Sequence, residues 1–211
     1  MTPSFDKDYW ESHWQDTGGS GAGQEIDPNP HLVRETRGLV PGTALDAGCG
    51  EGAEAIFLAT AGWQVTAADI SGEVLRRAAE RARKSGAPPE RLQWFEADLS
   101  TWEPGARFDL VTTHYAHPAM PQLSFYERLA EWVAPGGTLL IVGHRHTLET
   151  APAGRDHGHH PPAEASVTVA GITARLEPDR WDVVTAEEPI RTPPGRSVPL
   201  ADVVVRATRH L

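Results

Sequence analysis

The chain has 211 residues, a formal net charge of −10 and one cysteine, a size that suits one domain with a full hydrophobic core. It has no run of Lys and Arg to neutralise phosphates, so nucleic acid is not an expected partner. No apolar run approaches a bilayer span, and MTPSFDKDYW holds no apolar signal-peptide core. The lone Cys49 allows no internal disulfide, and a cytoplasmic protein, monomeric or weakly homodimeric, is expected.

Residues 4–17, SFDKDYWESHWQDT, are acidic and aromatic. Trp10 and Trp14 lie four apart on a predicted short helix and share one face. GGSGAGQ at 18–24 reads as a flexible hinge. Residues 1–27 are therefore expected to form a lid segment on a hinge, ahead of a single domain over 28–211. From Pro28, a helical stripe of Leu32, Val33, Thr36, Leu39 and Val40 is expected to run until Pro41-Gly42 stops it.

Strands and helices then alternate. Strands are predicted at 43–48, 64–70, 92–98, 108–116 and 137–144, and helices at 53–62, 71–87 and 122–134. The second of these helices has Ser71 as its cap and Val74, Leu75, Ala78, Ala79 and Ala82 at helical period. A loop rich in His and Pro covers 150–162, and a weaker helix is expected over 163–176. Strands at 181–190 and 201–209, joined by RTPPGRSVP as a hairpin turn, close the chain. The alternation predicts an α/β fold: a Rossmann-like, doubly wound sheet of seven strands, mostly parallel, with an antiparallel C-terminal edge strand. In such sheets the ligand sits beyond the carboxyl ends of the strands.

The loop LDAGCGEGA (45–53) stands at one of those ends. It satisfies the G-x-G-x-x-G/A pattern for a dinucleotide, and it equally fits a loop holding S-adenosylmethionine. Asp69, at the tip of the second strand, reaches a ribose in either case. Asp46 favours the second reading, because an anion two residues before Gly48 repels a pyrophosphate but attracts a sulfonium or an α-ammonium. Asp98 in EADLS is placed to accept from an adenine amino group, with Leu99 on the ring edge. The Pro-Gly-Gly turn of WVAPGGTLLIVG leads into the fifth strand.

LDAGCGEG, AADIS, EADLS, FDLVTTH and APGGTLLIVG occur in an order and spacing that resemble the class I S-adenosylmethionine-dependent methyltransferases, across roughly residues 28–211. YWESHW is similar, on fewer residues, to the N-terminal aromatic cover of the small thiopurine and tellurite-resistance type. The resemblance implies that the loop Ala47, Gly48, Cys49 and Gly50 approaches the methionine arm and ribose, with Asp46 supporting that loop or the ammonium. It further implies that Asp69 binds the ribose hydroxyls, and that Ile70, Asp98 and Leu99 hold the adenine. Thr113 and His114 would lie beside the transferred methyl, with Trp10 and Trp14 over the cofactor. The activity implied is methyl transfer to a small-molecule acceptor. Binding without transfer, or transfer to a macromolecule, are the alternatives.

Methyl transfer is an in-line displacement, so positioning dominates and a base matters only for acceptors that must lose a proton. Seven histidines fall between 114 and 160. His114, His117 and His144 follow the fourth and fifth strands and are the candidate acceptor-side bases. DHGHH at 156–160 lacks the regular spacing that fixes metal ligands, so no metal site is expected there. Trp63, Trp94, Trp102, Trp132 and Trp181 read as structural.

Overall fold

The computed structural model describes residues 4–17, 27–145, 167–192 and 199–211, with the side chains of 16 and 17 left aside. The glycine hinge, the His/Pro loop and most of the RTPPGRSVP turn lie outside the described residues.

Helix α1 is Lys7–Thr17 and α2 is Pro30–Glu35. The alternating unit follows: β1 (Thr43–Ala47), α3 (Ala53–Thr60), β2 (Gln64–Asp69), α4 (Gly72–Ser85), β3 (Leu92–Glu96), β4 (Phe108–His114), α5 (Gln122–Glu131) and β5 (Val133–His144). The chain ends with α6 (Val169–Thr173), β6 (Trp181–Glu187), β7 (Ile190–Arg191) and β8 (Leu200–Arg209). The sheet order is β3-β2-β1-β4-β5-β8-β6, with the two-residue β7 also pairing β8. Strands β1 to β5 pair in parallel, and β8 runs antiparallel to both β5 and β6. The antiparallel C-terminal strand is thus present, and β6 takes the outermost place beyond it.

Period-2 alternation divides the sheet's side chains between two cores. Leu139, Ile141, Val203 and Val205 face one side with Phe125 and Leu129 of α5. Leu140, Val142 and Val204 face the other, with Leu32, Leu58 of α3 and Leu75 of α4. Helix α4 follows its sequence closely: Ser71 Oγ accepts from the Val74 N–H at 3.3 Å, and Val74, Leu75, Ala78 and Ala82 are buried. Helix α2 departs from its sequence. It ends at Glu35 and buries His31, Leu32 and Glu35, and Val40 is 85% exposed. The expected stripe through Leu39 and Val40 fails because a turn at Thr36–Gly38 stops the helix before Pro41 is reached.

Candidate active site

At the carboxyl ends of the parallel strands a cavity of about 420 Å³ opens. Its floor is the loop between β1 and α3. Gly48 and Cys49 donate their N–H groups to the Ala68 carbonyl at 2.8 and 3.0 Å, and Gly50 donates to Asp69 Oδ2 at 2.9 Å. The loop is therefore strapped to the end of β2. Gly48 has φ +78°, and a Cβ there would lie 2.3 Å from the Ala116 Cβ. Gly52 starts α3 at φ +79°, where a Cβ would meet the Trp94 ring at 2.8 Å. Both positions need glycine for conformation and for space.

One end of the cavity is lined by Asp69, Ile70, Ala97, Asp98 and Leu99. Asp69 Oδ1 accepts from the Ser71 N–H at 3.0 Å. Burial pushes its carboxyl up, against the pull of these backbone N–H groups. Asp98 Oδ1 accepts from the Ser100 N–H and hydroxyl at 2.9 and 2.6 Å. The other end holds Glu54, His114, Tyr115, His117 and His144.

Over the top lies α1. Trp10 Nε1 donates to the His117 carbonyl at 3.2 Å, and Arg77 Nη1 donates to the Trp14 carbonyl at 2.9 Å. Glu11 Oε1 accepts from the Gly72 N–H at 3.1 Å, an acid at the start of α4 where the helix dipole favours it. Lys7 pairs with Glu96. A continuous set of ring contacts results: Trp14 to His13, His13 to Tyr9 and Trp10, both to Phe5, Phe5 to His117, His117 to His144 and His144 to Tyr115.

The imidazoles are not equivalent. Gln122 Nε2 donates to the Ala116 carbonyl at 2.9 Å, which fixes its amide so that Oε1 faces His117 Nδ1 at 3.2 Å. His117 therefore carries its proton on Nδ1 and keeps a lone pair on Nε2. Burial lowers its pKa and holds the ring neutral. His114 has both ring nitrogens buried without a partner among the described residues, and burial likewise lowers its pKa. His144 packs its ring on Tyr115 at 4.4 Å.

Four carboxylates line the cavity and no Lys or Arg does. With the loop's first N–H groups already spent on Ala68 and Asp69, nothing here matches a pyrophosphate. Residues 44–137 match the family model described as "Methyltransferase domain".

The chain is 43% identical over 124 residues to an uncharacterized methyltransferase of Mycobacterium tuberculosis, a match covering 56% of this chain and 60% of that one. A probable thiol methyltransferase 2 of Arabidopsis thaliana is 32% identical over 142 residues, covering 63% and 60%. The matches thus span 60% of the length of these curated relatives. Magnesium protoporphyrin IX methyltransferase from Synechocystis, solved with S-adenosylmethionine bound, shares the fold at TM-score 0.67 and 20% identity, covering 96% of this chain and 94% of that one.

S-adenosylmethionine fits this cavity. An acidic lining suits a cation, and the strapped glycine loop gives close backbone approach without anion-binding donors. Of the residues that the sequence pointed to, Trp10, Trp14, Gly48, Cys49, Gly50, Asp69, Ile70, Asp98, Leu99, His114, His117 and His144 all border this one cavity. Asp46, Ala47 and Thr113 do not. Asp46 is 1% exposed beneath the loop, bonded to the Ala55 N–H, and its Oδ2 has no partner among the described residues. Thr113 donates its hydroxyl to the Ala47 carbonyl at 2.8 Å, tying β4 to β1. These three lie within the paired strands β1 and β4, behind the loop rather than at its cavity face.

Phe5, Tyr9, His13, Glu54 and Tyr115 border the site and were not singled out in sequence. Tyr115 is held from far away: its hydroxyl takes bonds from Arg191 Nη2 at 2.8 Å and Asn29 Nδ2 at 3.4 Å. Arg191 in turn pairs with the fully buried Asp202, which also faces His31 Nε2 at 3.2 Å. Burial and the Asp202 charge push the Tyr115 phenol up to about 12. Among the described residues no helix is long and apolar enough to cross a membrane.

Proposed function

We propose that the chain transfers the methyl group of S-adenosylmethionine to a small-molecule acceptor. One observation carries this reading: a single cavity joins an acidic, glycine-floored half to a ring-lined half bearing imidazoles. The cofactor supplies an electrophilic methyl on a sulfonium. Asp69, Ile70, Asp98 and Leu99 would hold the adenosine, and His114 and His117 would stand on the side of the transferred methyl. Phe5, Tyr9, Trp10, His117, His144 and Tyr115 hold the acceptor. A cavity of this size suits a small-molecule acceptor beside the cofactor.

His117 is the base for an acceptor that must shed a proton. Its Nε2 lone pair would accept the proton that such an acceptor sheds, and Gln122 holds the ring in that tautomer. The likeness to a thiol methyltransferase makes thiols the first acceptors to try. The segment 1–27 works as a lid whose helix α1 shuts water from the sulfonium. The protein works in the cytoplasm as a monomer or weak homodimer.

Calorimetric titration with S-adenosylhomocysteine and NADH, followed by transfer of radiolabelled methyl to a panel of thiols, phenols and amines, tests the proposal. S-adenosylhomocysteine should bind and NADH should not. The reverse preference rejects the cofactor, and binding with no transfer to any acceptor rejects the activity.

A further inference from the structure

We infer that Glu54 recognises the α-ammonium of the cofactor's methionine arm, the role that the sequence left open to Asp46. The inference rests on the reading of S-adenosylmethionine as cofactor. An ammonium held in a closed pocket needs an anion within hydrogen-bond reach, since burying it unpaired is costly. Asp46 does not border the cavity: it lies beneath the loop with 1% exposure. Burial, with Glu54 and Asp69 nearby, raises its pKa well above the usual carboxylate range, so it tends to the neutral acid.

Four carboxylates do border the cavity, and two of them, Asp69 and Asp98, stand at its adenosine end. Both oxygens of Asp69 accept backbone N–H groups, and Asp69 stands at the adenosine end. Asp98 stands at the same adenosine end, with Oδ1 accepting from the Ser100 N–H and hydroxyl. Glu51 pairs with Arg81 at 3.5 Å. Glu54 differs from all three. It sits in the first turn of α3, directly after the glycine loop. The Asn29 N–H holds its Oε1 at 3.0 Å, which leaves Oε2 without a partner among the described residues.

Its position in the cavity also fits. Glu54 acts electrostatically on His114, whose unpartnered ring nitrogens border the same end, away from Asp69. Gly50 is tied to Asp69, and the loop continues through Gly52 into the first turn of α3, so Glu54 would face the far end of an arm whose ribose is held at Asp69. Asn29 completes the arrangement. Its backbone anchors Glu54 while its side chain reaches Tyr115, so the ammonium site and the acceptor wall share one support.

Two ligands separate this role from a structural one. S-adenosylhomocysteine has the ammonium; 5′-methylthioadenosine keeps the adenosine and sulfur but lacks the whole amino-acid arm. Glu54→Gln retains an oxygen for the Asn29 N–H, so the local fold is kept. Calorimetric titration of the full chain should show S-adenosylhomocysteine weakened by about ten-fold or more, the scale of one charge-assisted hydrogen bond. Affinity for 5′-methylthioadenosine should stay within about two-fold of the parent. Asp46→Asn should leave the ratio of the two affinities within about two-fold. Equal weakening of both ligands by Glu54→Gln, or no weakening of either, overturns the assignment. A changed ratio in Asp46→Asn returns the role to Asp46. If the parent chain binds neither ligand, the cofactor reading itself falls, an outcome distinct from a Glu54 variant that binds both ligands like its parent.

Discussion

Replacing Gly48 by alanine should strike both halves of the site at once. Gly48 has φ +78°, a conformation that costs an alanine about 1–2 kcal/mol. The new Cβ would stand 2.3 Å from the Ala116 Cβ. Two carbons rest at about 3.5–4.0 Å, so one backbone must move by more than an ångström. Overpacking of that kind costs about 1–3 kcal/mol. The sum is a loss of about 2–5 kcal/mol, read as a lower urea midpoint with an unchanged slope. Ala116 lies between Tyr115 and His117, so the displaced segment is the acceptor wall itself. The second substitution Ala116→Gly removes the opposing methyl but not the φ strain. It should restore about 1–3 kcal/mol to the Gly48→Ala chain, a coupling measurable by a double-mutant cycle. Strict additivity of the two substitutions would refute the steric argument and leave only the backbone term.

Asp46→Asn tests the buried acid. A carboxyl with a folded pKa above its unfolded value contributes stability that is fully present below the unfolded pKa and lost as pH rises through the folded one. The variant should therefore gain on its parent as pH rises, and urea midpoints that run parallel across pH would contradict the assignment. Asp69→Asn replaces an oxygen that accepts from Gly50 or Ser71 with an NH₂ facing an N–H; unfolding should show about 1.5–3 kcal/mol lost, with weaker S-adenosylhomocysteine binding in titration. Normal binding would remove Asp69 from the ribose. Deleting residues 1–17 removes the Trp10, Trp14 and Glu11 ties over the cavity; circular dichroism should show a folded chain whose S-adenosylhomocysteine affinity is down about ten-fold. Unaltered affinity would mean that α1 is no lid.

The alternating half of the fold was readable because each element there is decided locally. Ser71 caps α4 within its own turn, and the glycine loop with Asp69 spans one β-α-β unit. The candidate site was readable to the same extent: the residues at strand tips fall around one cavity. What failed was anything set by orientation or by distant chain. Asp46, Ala47 and Thr113 are at the right height in the sheet, but they lie within the paired strands, behind the loop rather than at its cavity face. Tyr115 depends on Asn29 and Arg191, 86 and 76 residues away, and no local pattern announces such a pairing. Glu54 reads in sequence as an ordinary acid in a first helical turn; only the approach of Asn29 and His114 distinguishes it. Val40 was misjudged because a turn at 36–38 ends α2 with no proline to signal it.

The place of β8 governs how the chain must be assembled during synthesis. β5 pairs with β4 on one side and waits for β8 on the other, so its far edge stays open until the last residues emerge. Leu139, Leu140, Ile141 and Val142 are all fully buried in the finished sheet. In the nascent chain they form an unpaired apolar edge, the type of surface that recruits other strands. Asp202 arrives on β8 as well, so Arg191 and through it Tyr115 are fixed only when that strand docks. A ribosome-bound chain halted before Leu200 would thus carry its complete glycine loop and an unfinished acceptor wall, and it is the stage at which a chaperone has most to cover.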